Sequence, residues 1–433
     1  MNNKKKVNVI TMGCSKNLVD SEYLIKQLEE NKFDIVHDSD RLDNDIVIIN
    51  TCGFINDAKQ ESIEMILQYE EARKNGDLEK LIVFGCLAER YKEELQNEIK
   101  FADNFFGVYD IPKIVKSLDS SYNKSLENVR TITTPKHYAY LKISDGCDRS
   151  CSFCAIPLIK GKHKSKSIEV LVEETQRLVK DGAKEIILIA QDLSYYGYDI
   201  YNEFKLAELI EKLSDIKGLE WLRLHYAFPS KFPENVIDVI NKKENICKYL
   251  DIPVQHISDS VLKNMRRGIG KDKTYELIKL FRKKIPNISL RTTLLVGHPD
   301  ETEEDFNELM EFVKFAKFER LGVFTYSEEE NTYSAENFED NVPEEIKQER
   351  ANKIMDLQQS ISHELNTKKI GKTFKVIIDR IDEEFIIGRT EFDSPEVDNE
   401  VLITKNQEVE TGNFYNVKIT SADDFDLFGE IIN

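Results

Sequence analysis

Apolar residues along this chain come in short runs, and the spacing between the runs changes twice. Runs at 7–12, 45–50 and 81–85 are apolar almost throughout and read as buried parallel strands. Between and after them, amphipathic stretches at 17–30, 55–74 and 88–99 read as helices. This is the alternation of an open parallel α/β sheet. A polar stretch at 117–136, with Ser, Asn and Thr-Thr-Pro, reads as a linker. The alternation then restarts, with strands expected at 138–144, 185–191, 219–226, 249–254, 289–296 and 320–326. Helices are expected at 168–180, 204–213, 275–284 and 303–315. Six βα units predict a partial (βα)6 barrel, since a full barrel of this type has eight. A long polar helix at about 343–369 closes the region. The end of the chain reads as five short strands, at 373–381, 385–391, 400–403, 415–421 and 427–432, with turn residues between them. A small antiparallel, OB-like barrel fits that pattern. The fold class expected is therefore α/β and multidomain.

Composition narrows the function. The chain has 433 residues, with 79 acidic against 60 basic and a net charge of -19. That balance argues against broad, nonspecific nucleic-acid binding, which needs a basic footprint. No apolar run reaches the length of a membrane span, and the start of the chain lacks the apolar core of a signal peptide. A cytoplasmic protein with no membrane partner is expected. In a reducing compartment, the seven cysteines do not read as a disulfide framework.

Cys147, Cys151 and Cys154 form C-x3-C-x2-C just after the first expected barrel strand. Three thiolates in one loop hold three corners of a cubane cluster and leave one iron open. The alternative is zinc, with His163 as a fourth ligand. Ligands in a βα loop lie at the usual active-site end of a barrel. Phe153 is either a core residue of the loop or an apolar face for a bound adenine. Cys14, Cys52 and Cys86 each follow an expected parallel strand by one or two residues. Carboxyl ends of parallel strands share one edge of the sheet, where ligands bind, so three thiols converge there. The alternative for each is a small buried residue. Cys247 is left over and reads as a buried or free thiol. Two open-site clusters suggest radical chemistry at an unactivated C–H bond, which proteins borrow from cofactors.

At this point the residues resemble a known family. C-x3-C-x2-C with an aromatic residue before the last cysteine resembles the radical S-adenosylmethionine (SAM) signature. The upstream cysteines and the C-terminal barrel resemble the methylthiotransferases, which carry an N-terminal cluster domain, a radical SAM domain and a TRAM domain. The resemblance covers essentially the whole chain and implies domains at 1–125, 133–365 and 366–433. Gly13-Cys14-Ser15-Lys16-Asn17-Leu18-Val19-Asp20-Ser21-Glu22 and Asn50-Thr51-Cys52-Gly53-Phe54-Ile55 are similar to the RimO branch, as are Gln191-Asp192 and 249–256. That branch modifies an aspartate of small-subunit ribosomal protein twelve. The alternative is the tRNA-modifying MiaB branch, which acts on an adenosine.

The resemblance implies two [4Fe-4S] clusters and SAM. Cys147, Cys151 and Cys154 would bind the radical-generating cluster, whose open iron SAM chelates. Cys14, Cys52 and Cys86 would bind the second, which carries the sulfur to be inserted. A second SAM would supply the methyl group, and the product would be β-methylthio-aspartate. Phe153, Gln191, Arg223 and Gly297 would face SAM, and His256 lies near a strand end as well. An electron donor such as flavodoxin or ferredoxin is implied as a partner. The chain departs from the family at Ser15, where Pro is usual, and at Lys160 and Lys166, where Arg is usual. In Gly297-His298-Pro299-Asp300-Glu301-Thr302, Asp300 replaces a second Gly, and the segment also reads as a plain turn with Thr302 as helix N-cap. The basic run 160–166 meets RNA, an acidic substrate segment or only water. From Lys372 to Asn433 there are 15 acidic and 6 basic residues, a net of 6 − 15 = −9. That charge suits a basic protein substrate better than RNA. A zinc-stabilised scaffold without catalysis is the remaining alternative.

Overall fold

The computed structural model describes residues 4–41, 44–405 and 407–432. The chain divides into two units. The first is Met1–Thr134 with Tyr140–Arg149 and Ala155–Lys164; the second is Pro135–Ala139, Ser150–Cys154 and Ser165–Asn433.

The first unit is built on a parallel sheet of five strands, β1 (Lys6–Thr11), β2 (Asp34–His37), β3 (Ile46–Thr51), β4 (Lys80–Gly85) and β5 (Asn104–Phe106), in the order β2-β1-β3-β4-β5. β3 is buried at every position because both faces of the sheet are covered. Val7, Val9, Ile46 and Ile48 pack with Leu24, Ile25 and Leu28 of helix Ser15–Glu30. Val47, Ile49, Leu81 and Val83 pack with Ile66 and Tyr69 of helix Asn56–Asn75. The period-2 alternation of each strand thus feeds two separate cores. The two edge strands were not expected. β2 is short and largely half-exposed, so it lacks the continuous apolar run that marks the inner strands. The helix expected at 88–99 is broken at Tyr91, giving Cys86–Arg90 and Lys92–Glu98. The stretch read as a linker is irregular but pinned. Gln27 exchanges two hydrogen bonds with the backbone of Asn123, and buried Arg130 pairs with Glu22.

The second unit carries the first two residues of β6 (Tyr138–Lys142), whose other three fall in the first unit, then β7 (Glu185–Ile189), β8 (Trp221–Leu224), β9 (Ile246–Asp251), β10 (Ser289–Val296) and β11 (Arg320–Thr325). β7 to β11 lie side by side in chain order and pair in parallel. Parallel strands in chain order are what the expected (βα)6 barrel requires. Helices Glu234–Lys242 and Asp259–Asn264 were not named; the second, at six residues, is too short to show a clear helical period. The long helix spans Glu344–Thr367.

β12 (Thr373–Ile381), β13 (Phe385–Thr390), β14 (Val401–Thr404), β15 (Phe414–Ala422) and β16 (Leu427–Ile431) close into a barrel in the order β12-β13-β14-β16-β15. Val376, Ile378, Ile403, Val417 and Ile419 fill it. The antiparallel pattern expected holds except between β14 and β16, which pair in parallel and so complete the closure. The barrel docks on the N-terminal ends of the parallel strands. Glu185, the first residue of β7, accepts from Arg223 Nε at 2.7 Å and from Arg389 Nη2 at 2.8 Å. Arg389 also pairs with Asp379, which meets His137 just before β6. Arg320, the first residue of β11, pairs with Asp393. Trp221, the first residue of β8, packs edge-on against Phe414, while His225, just past the other end of this short strand, meets the Ser394 hydroxyl. Among the described residues, no helix is long and apolar enough to cross a membrane.

Glu185, Arg223 and Arg389 are each at most 2% exposed. Removing one charge from such a buried set strands the others, at a cost of about 3–5 kcal/mol. Glu185→Gln is therefore expected to lower the unfolding free energy from urea denaturation by that amount. Breaking the surface pair Arg380–Glu400 with Arg380→Met should cost about 0–1 kcal/mol in the same measurement.

Candidate functional site

In the first unit, the strand ends bring three thiols to one edge of the sheet. Cys14 is the N-cap of helix Ser15–Glu30, Cys52 follows β3 directly, and Cys86 opens the helix after β4. Asn17 joins the three loops. Its Nδ2 donates to the carbonyls of Met12 (3.0 Å) and Thr51 (3.1 Å), and its Oδ1 accepts from the Cys86 thiol at 3.7 Å. Asn50 donates back to the Asn17 carbonyl, and Ser62 takes both the N–H and the carbonyl of Cys52. The backbone comes too close here for side chains. Gly13 has φ +86°, and a Cβ on it would lie 2.8 Å from the Cys52 sulfur. Gly85 has φ +105°, and a Cβ there would meet the Thr51 backbone at 2.7 Å.

Burial pushes the Cys86 thiol up to about 12, although the Lys160 ammonium works against this, and burial raises Cys52 as well. Such thiols stay neutral until a metal takes the place of the proton. Among the described residues, no three Cys, His, Asp or Glu side chains converge as one metal ion requires. A cubane is different, because each thiolate meets its own iron. The donor set here, three sulfurs without a converging histidine or carboxylate, fits a cluster with one open iron better than a zinc ion.

The other cysteine triplet lies along the loop after β6. Arg149 N–H donates to Cys147 Sγ at 3.4 Å within the first unit. In the second unit, Arg267 Nη1 donates to Cys151 Sγ at 3.2 Å. Donors aimed at sulfur suit charged thiolates. His163 is buried, and its N–H donates to Asp148. Cys247 is a buried thiol packed with Trp221, Tyr249 and Ile377.

The four residues expected to face SAM separate. Phe153 packs on Val261, Met265, Leu295 and Tyr326. Gln191 stands two residues beyond β7, at the C-terminal edge, and its buried Oε1 has no hydrogen-bond partner among the described residues. Gly297 follows β10, but its N–H already donates to Glu301 Oε2 at 2.7 Å. Arg223 corrects the expectation: its guanidinium points to Glu185 and the Glu391 carbonyl at the barrel-covered end. The Thr302 N-cap is present as a full capping box with Asp305. The basic run at 160–166 is not a solvated face throughout, since Lys160 is buried on Asp20 and Lys166 pairs with Glu174.

Sequence reasoning named His256 and Glu301 separately but not their pairing behind Gly297. His256 is fully buried 3.6 Å from Glu301, and Arg350 donates to Glu301 at 2.9 Å. Burial lowers His256 to about 3, so it is neutral, and burial raises Glu301 to about 7 despite Arg350. The Glu301-Thr302 pair next to a strand end was the available signal.

Comparisons with known proteins agree with this architecture. Residues 141–313 match the Radical SAM superfamily, residues 370–432 the TRAM domain, and residues 6–107 Uncharacterized protein family UPF0004. The chain is 56% identical over 431 residues to the ribosomal protein uS12 methylthiotransferase RimO of Bacteroides thetaiotaomicron, covering 99% of each chain. It is 55% identical over 430 residues to the protein of the same name from Bacteroides fragilis, covering 99% of this chain and 100% of that one. Among solved structures, the radical S-adenosylmethionine methyltransferase TsrM from Kitasatospora setae aligns with a TM-score of 0.57, over 77% of this chain and 74% of that one. At 13% identity, that likeness is one of fold.

Asn17→Ala leaves two buried carbonyls unpaired and is expected to cost about 1–3 kcal/mol in denaturant unfolding. Glu301 gives a pH signature. Its folded pKa lies above the usual 4.5, so the folded state holds its proton longer than the unfolded chain. The stability this contributes is present below pH 4.5 and is lost as pH rises through about 7. Glu301→Gln should flatten that part of the stability–pH curve, measured by thermal unfolding at matched ionic strength.

Proposed function

Because the chain belongs to the ribosomal protein uS12 methylthiotransferase family, we propose that it attaches a methylthio group to the β-carbon of an aspartate in uS12. The full-length identity to enzymes of that name is the observation that carries this reading. It is a radical SAM enzyme, and we assign it two [4Fe-4S] clusters. When bound, these groups supply one-electron cleavage of SAM at one site and a sulfur atom at the other.

The chain's own residues hold and orient. Cys147, Cys151 and Cys154 hold the cluster that SAM completes, and the Arg149 N–H and Arg267 guanidinium stabilise charge on two of the sulfurs. Cys14, Cys52 and Cys86 hold the second cluster, with Asn17 keeping their loops together. Phe153, Gln191 and Gly297 line the SAM end of the site, and the Gln191 Oε1 supplies an acceptor there. A small one-electron carrier such as flavodoxin or ferredoxin supplies reducing equivalents.

Charge supports a protein substrate over tRNA. Several acids of the terminal barrel are spent internally, Asp379 on Arg389, Asp393 on Arg320 and Asp398 on Arg291. Glu383, Glu384, Glu408 and Glu430 remain exposed. An acidic surface attracts a basic ribosomal protein and repels RNA phosphates.

Mass spectrometry of cells with and without the gene tests the reading. A methylthio group lost from an aspartate of uS12, with tRNA nucleosides unchanged, is expected; loss from tRNA instead would overturn it. Cys86→Ala, reconstituted anaerobically, should carry about half the iron of the parent chain, still cleave SAM, and form no methylthio product.

A further inference from the structure

Lys160 ends the helix Ile156–Lys160, which packs Ala155 and Ile159 against Cys86 and Val108. Its side chain is 3% exposed, and its Nζ lies 3.2 Å from Asp20 Oδ2. The other Asp20 oxygen takes Lys142, which also reaches Asp145 at 2.7 Å. Two lysines and two aspartates thus form a largely buried group on the Cys86 side of the cysteine edge. Burial alone would pull Lys160 down, but Asp20 and Asp145 hold it above the usual lysine range, and Cys86 and the Tyr109 phenol add to this. Lys160 is therefore a fixed positive charge in the protein interior. The charges of these four side chains are not equally placed. Of the four, Lys160 acts most strongly on the Cys86 sulfur, and Asp20 acts on it in the opposite sense.

We propose that Lys160 and Asp20 are positioning residues that set the reduction potential of the iron–sulfur group held by Cys14, Cys52 and Cys86, Lys160 raising it and Asp20 lowering it. The proposal rests on the assignment of a cluster to those three cysteines. Cluster potentials respond to nearby net charge and burial. One-electron reduction adds a negative charge, which a buried cation favours and a buried anion opposes. Removing either partner leaves the other uncompensated, so the two substitutions act in opposite directions.

The test uses the full-length chain with Cys147, Cys151 and Cys154 replaced by alanine, so that all bound iron reports on one site. The clusters are reconstituted anaerobically and titrated with dithionite while the reduced cluster is followed by electron paramagnetic resonance. Lys160→Met is expected to shift the midpoint to more negative potential, Asp20→Asn to more positive potential, and Lys160→Arg to restore it toward the parent value. Packing damage alone would not give opposite signs. Unchanged midpoints, or shifts of one sign in both variants, would overturn the proposal. Should Lys160→Met fail to fold or to hold iron, the sign of the Asp20→Asn shift decides. A parent chain that binds no iron would overturn the cluster assignment, and the proposal with it.

Discussion

Glu185 carries a negative charge into the interior at the start of β7, and two arginines from different parts of the chain meet it there. Arg223 comes from the neighbouring strand and Arg389 from the terminal barrel. None of the three is tolerable alone in that environment, so each specifies the position of the others. The consequence is directional. With Glu185, Trp221 and Arg320 committed to the terminal barrel, the N-terminal ends of the parallel strands are covered. The opposite edge, where the loops carrying Cys151, Gln191 and Gly297 emerge, is the one the proposed chemistry uses.

The first unit solves a related problem with backbone rather than charge. Three loops must bring sulfurs together without a disulfide. Gly13 and Gly85 allow the approach by lacking a Cβ where one would strike the adjacent loop. Asn17 then closes the arrangement by satisfying carbonyls from two loops and facing the thiol of the third. An amide suits this place because it both donates and accepts.

Cys14, Cys52 and Cys86 stand out as candidates because each follows an apolar run within three residues. Strand ends can be read from hydrophobic pattern, and topology does the rest. The three inner strands of the first unit's sheet, β1, β3 and β4, were readable for the same reason, whereas β2 and β5 lie at its edges, where the pattern weakens. Charges were the least legible feature. Lys160 looks like one of several solvated lysines in a basic run, yet it is buried on Asp20, 140 positions away in the chain. Arg223 sits near a strand end in the sequence, but no local pattern says which end its guanidinium serves. Pairing between residues so far apart is decided by the fold, and a single sequence has no period or motif that encodes it.

The long separation between Glu185 and Arg389 has a temporal meaning. They are 204 positions apart. At roughly 5–20 residues per second, a ribosome needs about 10–40 s to add that much chain. During this interval the parallel sheet exists without the arginine that neutralises its buried carboxylate, and Arg320 waits for Asp393 in the same way. The nascent chain therefore cannot reach its final packing strand by strand as it emerges. Its central sheet matures only when the last segment is released, so a ribosome that stalls late would leave behind a chain that is nearly complete and still unfinished inside.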